Sequence, residues 1–332
     1  MRLEIPYWSS HHNMLLYSLF YYCEGNKIEF ELYFNTTLPV NGALLYFKNI
    51  SVFFDFSDDT IFIGDPKLFH FYFKRSLLES NFINVYPLNF QVNLSYKALG
   101  FIQKLKIKDI INNKNRIEIV RAIDYFNRLT NLSHNAMDVR FFPKKIIDNK
   151  GKVIFLTRLW NPNNHPDPKE KERRIRQNIF RVESCRIIKK NFKNSLVGLF
   201  PDEYSKEVAS DLLLDSKATS KKRYFNDLQS ANIGIADDGL KDTPGWKIGE
   251  YLMFGKAVIS TPINIIVEEF KENKNYLKLS SRNSFDELPE KIDYLLTNNR
   301  YLEMGVNNFN WSSTYLHPNE YMNRIISIIT RK

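Results

Sequence analysis

The 332-residue chain carries 47 Lys and Arg against 37 Asp and Glu, a net charge of +10, with 43% hydrophobic and 14% aromatic residues. That length exceeds what one hydrophobic core usually serves and predicts two domains; two cysteines exclude a disulfide framework and fit a reducing compartment. No apolar run reaches 18 residues and no secretory pattern is visible, so a cytoplasmic protein is expected; the basic excess is spread, 18 against 14 in residues 1–150 and 29 against 23 in 151–332, rather than gathered as in nucleic-acid binders.

Residues 2–7 form a candidate strand, followed by the polar loop Ser9-Ser10-His11-His12-Asn13 and an apolar helix over 14–22 closed by Gly25. Residues 27–34 alternate in the manner of a strand, and 50–56 and 60–63 are short β-type runs. Pro66 predicts a helix over 66–79, with Lys74 and Arg75 on a solvated face. A further helix is expected over 117–129, where Ile119, Ile123 and Phe126 share a face. The stretch 141–151 reads as a linker, placing the domains at 1–148 and 149–332, with the C-terminal helix free to pack back on the first.

The second half opens on a strongly apolar strand, 152–159, and a proline-containing loop, 161–168. Over 169–192, Ile175, Ile179, Val182, Cys185, Ile188 and Phe192 recur at spacings of three and four and define the buried face of a helix. Cys185 there is core filler. Lys171, Arg173, Arg174 and Arg181 fall opposite, on an expected solvated basic face that has a membrane surface as its alternative role. A strand at 195–200, a helix at 224–230, a strand at 232–236, a helix at 245–254 and a strand at 257–260 follow. This alternation predicts a parallel sheet with helices on both faces. Helices at 289–296 and 320–329 close the chain.

The window 234–262 carries the chemistry. A strand passes into a polar loop, Asp237-Asp238-Gly239-Leu240-Lys241-Asp242, and a helix is expected to start at Thr243 and Pro244 as N-cap and first residue and to end at Gly255. Such a loop, leaving a parallel strand and feeding a helix N-terminus, is where doubly wound folds bind ligands, and its unpaired N–H groups suit a phosphate. Lys247 in the first turn opposes the helix dipole, a penalty that a bound diphosphate reverses. Glu250 further along can accept hydrogen bonds from ribose hydroxyls.

The pattern Lys247-x-x-Glu250-Tyr251-Leu252-x-x-Gly255-Lys256-x-Val258-Ile259 resembles the donor-site signature of GT-B glycosyltransferases of the retaining, GT4-like type. Gly245-Trp246-Lys247 with Glu250-Tyr251 resembles bacterial surface-polysaccharide enzymes. Asp242 and Glu250 stand eight apart, as in that family's Glu-x7-Glu, with Asp in first place; Ala257 replaces the usual Pro. The likeness is specific over about 30 residues, diffuse over about 150, and barely touches residues 1–140. It implies an α/β chain with the GT-B fold, two Rossmann-like doubly wound domains facing across a cleft, and hexosyl transfer from a nucleotide sugar, with no other cofactor and no metal. Under it, Glu250 holds the donor ribose and Asp242 lies near the sugar. Thr243, Pro244, Gly245, Trp246 and Lys247 lie near the diphosphate, as does Arg158 at the end of the first strand of that domain, an arginine suited to bidentate phosphate contact. His11 and His12, after the first strand, would face the cleft near the acceptor, where a histidine can act as base. The implied acceptor is a glycan or lipid-linked saccharide in cell-surface polysaccharide synthesis, with peripheral contact at the inner membrane face.

No Asp-x-Asp triplet, zinc-spaced Cys/His cluster, Gly-x-Gly-x-x-Gly, Walker loop or Gly-x-Ser-x-Gly elbow is present. The rival readings are a sugar-nucleotide epimerase on the same fold and a non-catalytic nucleotide-binding homologue; nucleic acid is not an expected partner.

Overall fold

Short aromatic and β-branched runs broken by turns build the first part of the chain. In the computed structural model, which describes residues 1–103, 105, 119–120, 136–215 and 220–331, these are β1 (Arg2–Ile5), α1 (Asn13–Gly25), β2 (Glu31–Phe34), β3 (Gly42–Phe47), β4 (Ile50–Asp55), β5 (Phe71–Lys74), β6 (Val85–Pro87), β7 (Leu94–Ser95), α2 (Ala98–Ile102) and β8 (Met137–Asp138). The helix expected over 117–129 falls largely outside the described residues. Next come β9 (Val153–Thr157), α3 (Pro168–Asn191), β10 (Ser195–Leu199), α4 (Glu203–Ala209), α5 (Lys221–Gln229), β11 (Ile233–Ala236), α6 (Trp246–Met253), β12 (Ala257–Ser260), β13 (Tyr276–Lys278), α7 (Leu288–Leu296), α8 (Arg300–Tyr315) and α9 (Pro318–Thr330). No helix among the described residues is long and apolar enough to cross a membrane.

Two compact units result, each assembled from separated stretches. The first is Met1–Phe142 with Ile265–Glu268 and Ser313–Lys332; the second is Pro143–Asn264 with Glu269–Ser312. Both are α/β. The first holds a six-stranded sheet, order β2-β1-β3-β4-β5-β6. β1 and β2 run parallel, as do β4, β5 and β6, while β3 is antiparallel to both its neighbours. α9 packs against α1.

The helix expected over 66–79 is not formed. A single 3-10 turn, Pro66–Leu68, is capped by Asp65, and the chain then enters β5 beside β4. Lys74 is therefore a buried strand-end residue rather than a solvated one, at 0% exposure. Its ammonium donates to Asp55 Oδ2 at 2.9 Å and to the Asp59 and Ile61 carbonyls, both at 2.9 Å. Asp55 in turn accepts from Tyr72 Oη at 2.8 Å, Ser57 Oγ at 2.6 Å and the Ile63 N–H at 3.2 Å. Those bonds hold 60–63 as a loop, not a strand. Arg75, also buried, pairs with Asp58. A charge in a core needs this degree of satisfaction, because desolvation otherwise outweighs the Coulombic gain.

The second unit holds a parallel five-stranded sheet, order β10-β9-β11-β12-β13. β9, β11 and β12 are buried along their whole length, as near-continuous apolar strands covered on both faces should be. On one face Val153, Phe155, Ile233, Ile235, Ala257 and Ile259 meet Phe180, Cys185 and Ile188 of α3 and Leu288, Ile292 and Leu295 of α7. On the other, α6 approaches so closely that a Cβ on Gly234 would lie 2.5 Å from the Tyr251 ring. Tyr251 Oη donates to the Ile235 carbonyl at 3.1 Å. Gly255, at φ +61°, ends α6 in the left-handed conformation that favours glycine.

α3 corrects the expected face. Asp167 caps it by accepting from the Lys169 N–H, and Pro168 opens it. Ile175 and Ile179 are about half exposed, whereas Arg173 and Arg181 are each 6% exposed. The buried stripe runs Glu170, Arg173, Gln177, Phe180 and Arg181, Ser184 and Cys185, Ile188. Its spacing is helical, but its N-terminal half is polar.

Candidate functional site

β9 starts its sheet in sequence and lies between β10 and β11. The chain therefore builds to one side of β9 and then crosses to the other, a topological switch point, where ligand crevices open at the carboxyl ends of strands. The β9–β11 ladder comprises only Ile233↔Val153 and Gly234↔Ile154, so it stops short of the carboxyl ends of both strands.

Two segments leave that edge, one after β9 and one after β11. Arg158 follows β9 and is exposed. Its guanidinium lies over Trp160 at 5.6 Å and over Phe200 at 5.5 Å, and no carboxylate among the described residues pairs with it. Asp237 and Asp238 follow β11. Asp237 Oδ2 accepts from Arg181 Nε at 2.5 Å. Asp238 accepts from Thr261 Oγ1 at 2.8 Å and pairs with Arg282 Nε at 2.5 Å. Burial pushes the Asp238 carboxyl up to about 6 against the pull of Thr261 and Arg282, with Asp237 and Asp242 adding to the rise.

The chain then turns through Lys241 and Asp242, both left-handed at φ 55° and 57°. Thr243 and Pro244 do not cap the helix as expected. The Gly239 N–H donates to the Thr243 carbonyl at 2.5 Å, and Pro244 bridges Asp238 in antiparallel fashion. α6 therefore begins at Trp246 with Gly245 at the N-cap and no side-chain cap hydrogen bond.

Lys247, in that first turn, reaches from α6 to the opposite face of the sheet. Its ammonium lies 5.2 Å from the centre of the Phe155 ring, and Phe155 belongs to the face under α3, edge-on to Phe180 at 6.4 Å. Burial lowers Lys247 to about 8, opposed by Asp237 and assisted by Arg181. Glu250, one turn on, is 4% exposed. Its carboxylate pairs with Lys221 and accepts from Tyr224 Oη at 2.8 Å, both on α5. Burial, then the Glu250 charge, raises the Tyr224 hydroxyl well above its ordinary value.

Beside these lies a small recess, open to solvent, with Arg176, Gln177, Asp242, Thr261 and Arg282 in its wall. The N-terminal half of α3 supplies the residues that the sequence reading placed in solvent. Arg173 donates to both oxygens of Glu170 at 2.8 and 2.7 Å and to the Gly239 carbonyl at 2.9 Å, and it holds Glu170 down at about 2 together with Arg174. Arg181 also donates to the Arg158 carbonyl at 2.6 Å. Among the described residues no three metal-ligating side chains converge.

Arg158, Asp242, Thr243, Pro244, Gly245, Trp246, Lys247 and Glu250 thus share one unit and one edge of its sheet. His11 and His12 belong to the first unit. His12 is fully enclosed at the N-cap of α1, with Nδ1 3.0 Å from Ser9 Oγ and its ring edge-on to Phe56 at 5.7 Å. Burial and its neighbour His11 lower it to about 3, so it is a neutral packing group at neutral pH. His11 is partly exposed beside Arg75 and Asp58, and burial and Arg75 lower it.

No protein-family model matches the sequence, nor does any curated protein. Among solved structures, the chain is similar to the C-terminal domain of a glycosyl transferase group 1 family protein from Francisella tularensis, with 14% identity over 54% of this chain and 97% of that one, at a TM-score of 0.37. It is similar to a glycosyltransferase from Rickettsia africae, with 12% identity over 78% and 62% of the two chains and a TM-score of 0.40. It is also similar to HepE of Anabaena, solved with UDP-glucose, with 13% identity over 70% and 61% and a TM-score of 0.37. The match spans under two thirds of the length of the last two.

Proposed function

We propose that the chain is a GT-B-type glycosyltransferase whose second unit binds a nucleoside-diphosphate sugar at the β9–β11 switch point. One observation carries the reading: α6 starts without a side-chain cap and bears Lys247 in its first turn, and Arg158, with which no carboxylate among the described residues pairs, leaves β9 at the carboxyl edge where the sheet's order reverses. Backbone donors and cations brought to such an edge form an anion site, and Glu250 lies one turn further, where a ribose would follow a diphosphate. During transfer the bond between sugar and diphosphate breaks and negative charge grows on the leaving phosphate; Arg158, Lys247 and the α6 N–H groups would stabilise that charge. Asp242 in the pocket wall would take sugar hydroxyls. The acceptor hydroxyl, on a glycan or lipid-linked saccharide of the cell surface, and retention of anomeric configuration follow from the sequence resemblance.

The test is a thermal-shift series with UDP, GDP, CDP and ADP. A nucleotide at a hundred times its dissociation constant adds about 2.7 kcal/mol. Lys247→Met and Arg158→Ala should each abolish most of the shift; no shift with any nucleotide on the wild-type chain would remove the reading.

A further inference from the structure

Asp242 is gripped by two arginines, neither from its own loop. Arg176 of α3 donates from Nη2 to Oδ1 at 2.6 Å. Arg282, beyond β13, places Nη1 3.4 Å from Oδ2 and donates from Nη2 to the Asp242 main-chain carbonyl at 3.1 Å. The Nε of the same guanidinium reaches Asp238, and Asp238 is anchored to Thr261 at the end of β12. One planar fork therefore ties the loop after β11 to the turn before α6 and holds both main chain and side chain of Asp242. The turn needs such a hold. Lys241 and Asp242 both lie at positive φ, a conformation that side chains other than glycine adopt reluctantly.

Neutralising an acidic cluster would require only positive charge nearby. It would explain neither the bond to the carbonyl nor the assignment of one guanidinium to each carboxylate oxygen. We infer that Arg282, seconded by Arg176, is a positioning residue that fixes the Asp242 carboxylate in the pocket wall, so that its remaining lone pairs are presented to the donor sugar. The inference rests on the donor-site reading above and adds to it the device by which an aspartate, one methylene shorter than glutamate, is held at working distance.

The experiment uses the full chain and two readouts: the thermal shift with UDP, GDP, CDP and ADP, and the rate at which the glucose conjugate of the best binder releases its nucleoside diphosphate. Arg282→Gln should keep nucleotide affinity within about threefold and lose about tenfold to a hundredfold in kcat, the scale of a misplaced contact group. Arg282→Lys, which keeps the charge but not the fork, should resemble Arg282→Gln. Arg176→Gln should lose less. Because Arg282 acts through Asp242, the double variant Asp242→Asn with Arg282→Gln should turn over no more slowly than Asp242→Asn alone. Wild-type turnover by Arg282→Lys or Arg282→Gln would overturn the inference and leave the donor site standing. So would fully multiplicative losses in the double variant, or loss of the nucleotide shift in all the arginine variants, which would make these residues mere struts of the unit. A wild-type chain that shifts with no nucleotide removes the donor site itself, and the inference falls with it.

Discussion

Glu250 has two roles that can be separated by changing it in two ways. Its carboxylate takes Lys221 on one oxygen and the Tyr224 hydroxyl on the other, within a residue that is 4% exposed. Glu250→Ala removes both acceptors at once. It strands a half-buried tyrosine hydroxyl, at about 1–3 kcal/mol, while Lys221, whose side chain is 23% exposed, recovers most of its loss from water. The second unit should therefore lose about 2–3 kcal/mol, and at about 2–4 °C per kcal/mol for units of this size its transition should fall by roughly 5–10 °C. Glu250→Gln keeps an acceptor for Tyr224 and should cost about 1 kcal/mol. A ribose held by the carboxylate tells the variants apart from a purely structural residue. Two hydroxyls donating to a charged group contribute about 1.5–3 kcal/mol, so Glu250→Gln should bind the nucleotide roughly tenfold to a hundredfold more weakly while remaining folded. Calorimetric melting and titration calorimetry on the same preparations supply both numbers. A Glu250→Gln protein that binds as tightly as the wild type would refute the ribose role and leave Glu250 as a cross-brace between α5 and α6.

Nucleotide affinity should depend on pH through Lys247. Its ammonium, lowered to about 8, is charged below that value and loses its proton above it, so affinity should fall between pH 7.5 and 9.5 and the slope should vanish in Lys247→Met; titration calorimetry across that range checks it. Glu170, held at about 2 in the fold, contributes stability that is fully present above its unfolded value and is lost as pH falls through about 4 to 2; Glu170→Gln should flatten that limb by about 1–2 kcal/mol in acid-denaturation curves. Lys74→Met strands the Asp55 carboxylate in the first unit and should cost about 3–5 kcal/mol by urea denaturation, whereas Asp55→Asn together with Lys74→Met should recover part of it. Gly234→Ala places a methyl 2.5 Å from the Tyr251 ring and should destabilise the second unit by about 1–3 kcal/mol.

The second unit was the more legible part of the chain, because apolar strands buried on both faces and helices ending in glycine announce themselves locally. β9, β11, β12 and α6 fall within two residues of where the sequence placed them. The first unit was less so. The run 71–74 reads equally as a helix turn or a strand until β4 is known to lie beside it, and only pairing across the sheet reveals that Lys74 is a core residue. On α3 the error came from treating burial as apolar. Glu170, Arg173, Gln177 and Arg181 keep the helical period of three and four, but they are charged or polar because they abut the loops after β9 and β11. The signal lay in that period, had polar residues been allowed to carry it. Asp242 and Glu250 were singled out as candidates by their eight-residue spacing. Arg282 lies forty residues from Asp242, in a loop with no local mark, and only the folded sheet brings them together.

The first unit includes α9 and the segment Ile265–Glu268. Glu268 exchanges two 2.9 Å hydrogen bonds with Asn89 and pairs with Arg324 of α9, and Arg324 also donates to the Pro87 carbonyl at 2.7 Å. During vectorial synthesis, every strand of the second unit has therefore left the ribosome before the first can close. The nascent amino-terminal half must wait with the seat for α9 unfilled, a window in which aggregation competes with folding. A fragment cut after residue 142 would remain in that unfinished state.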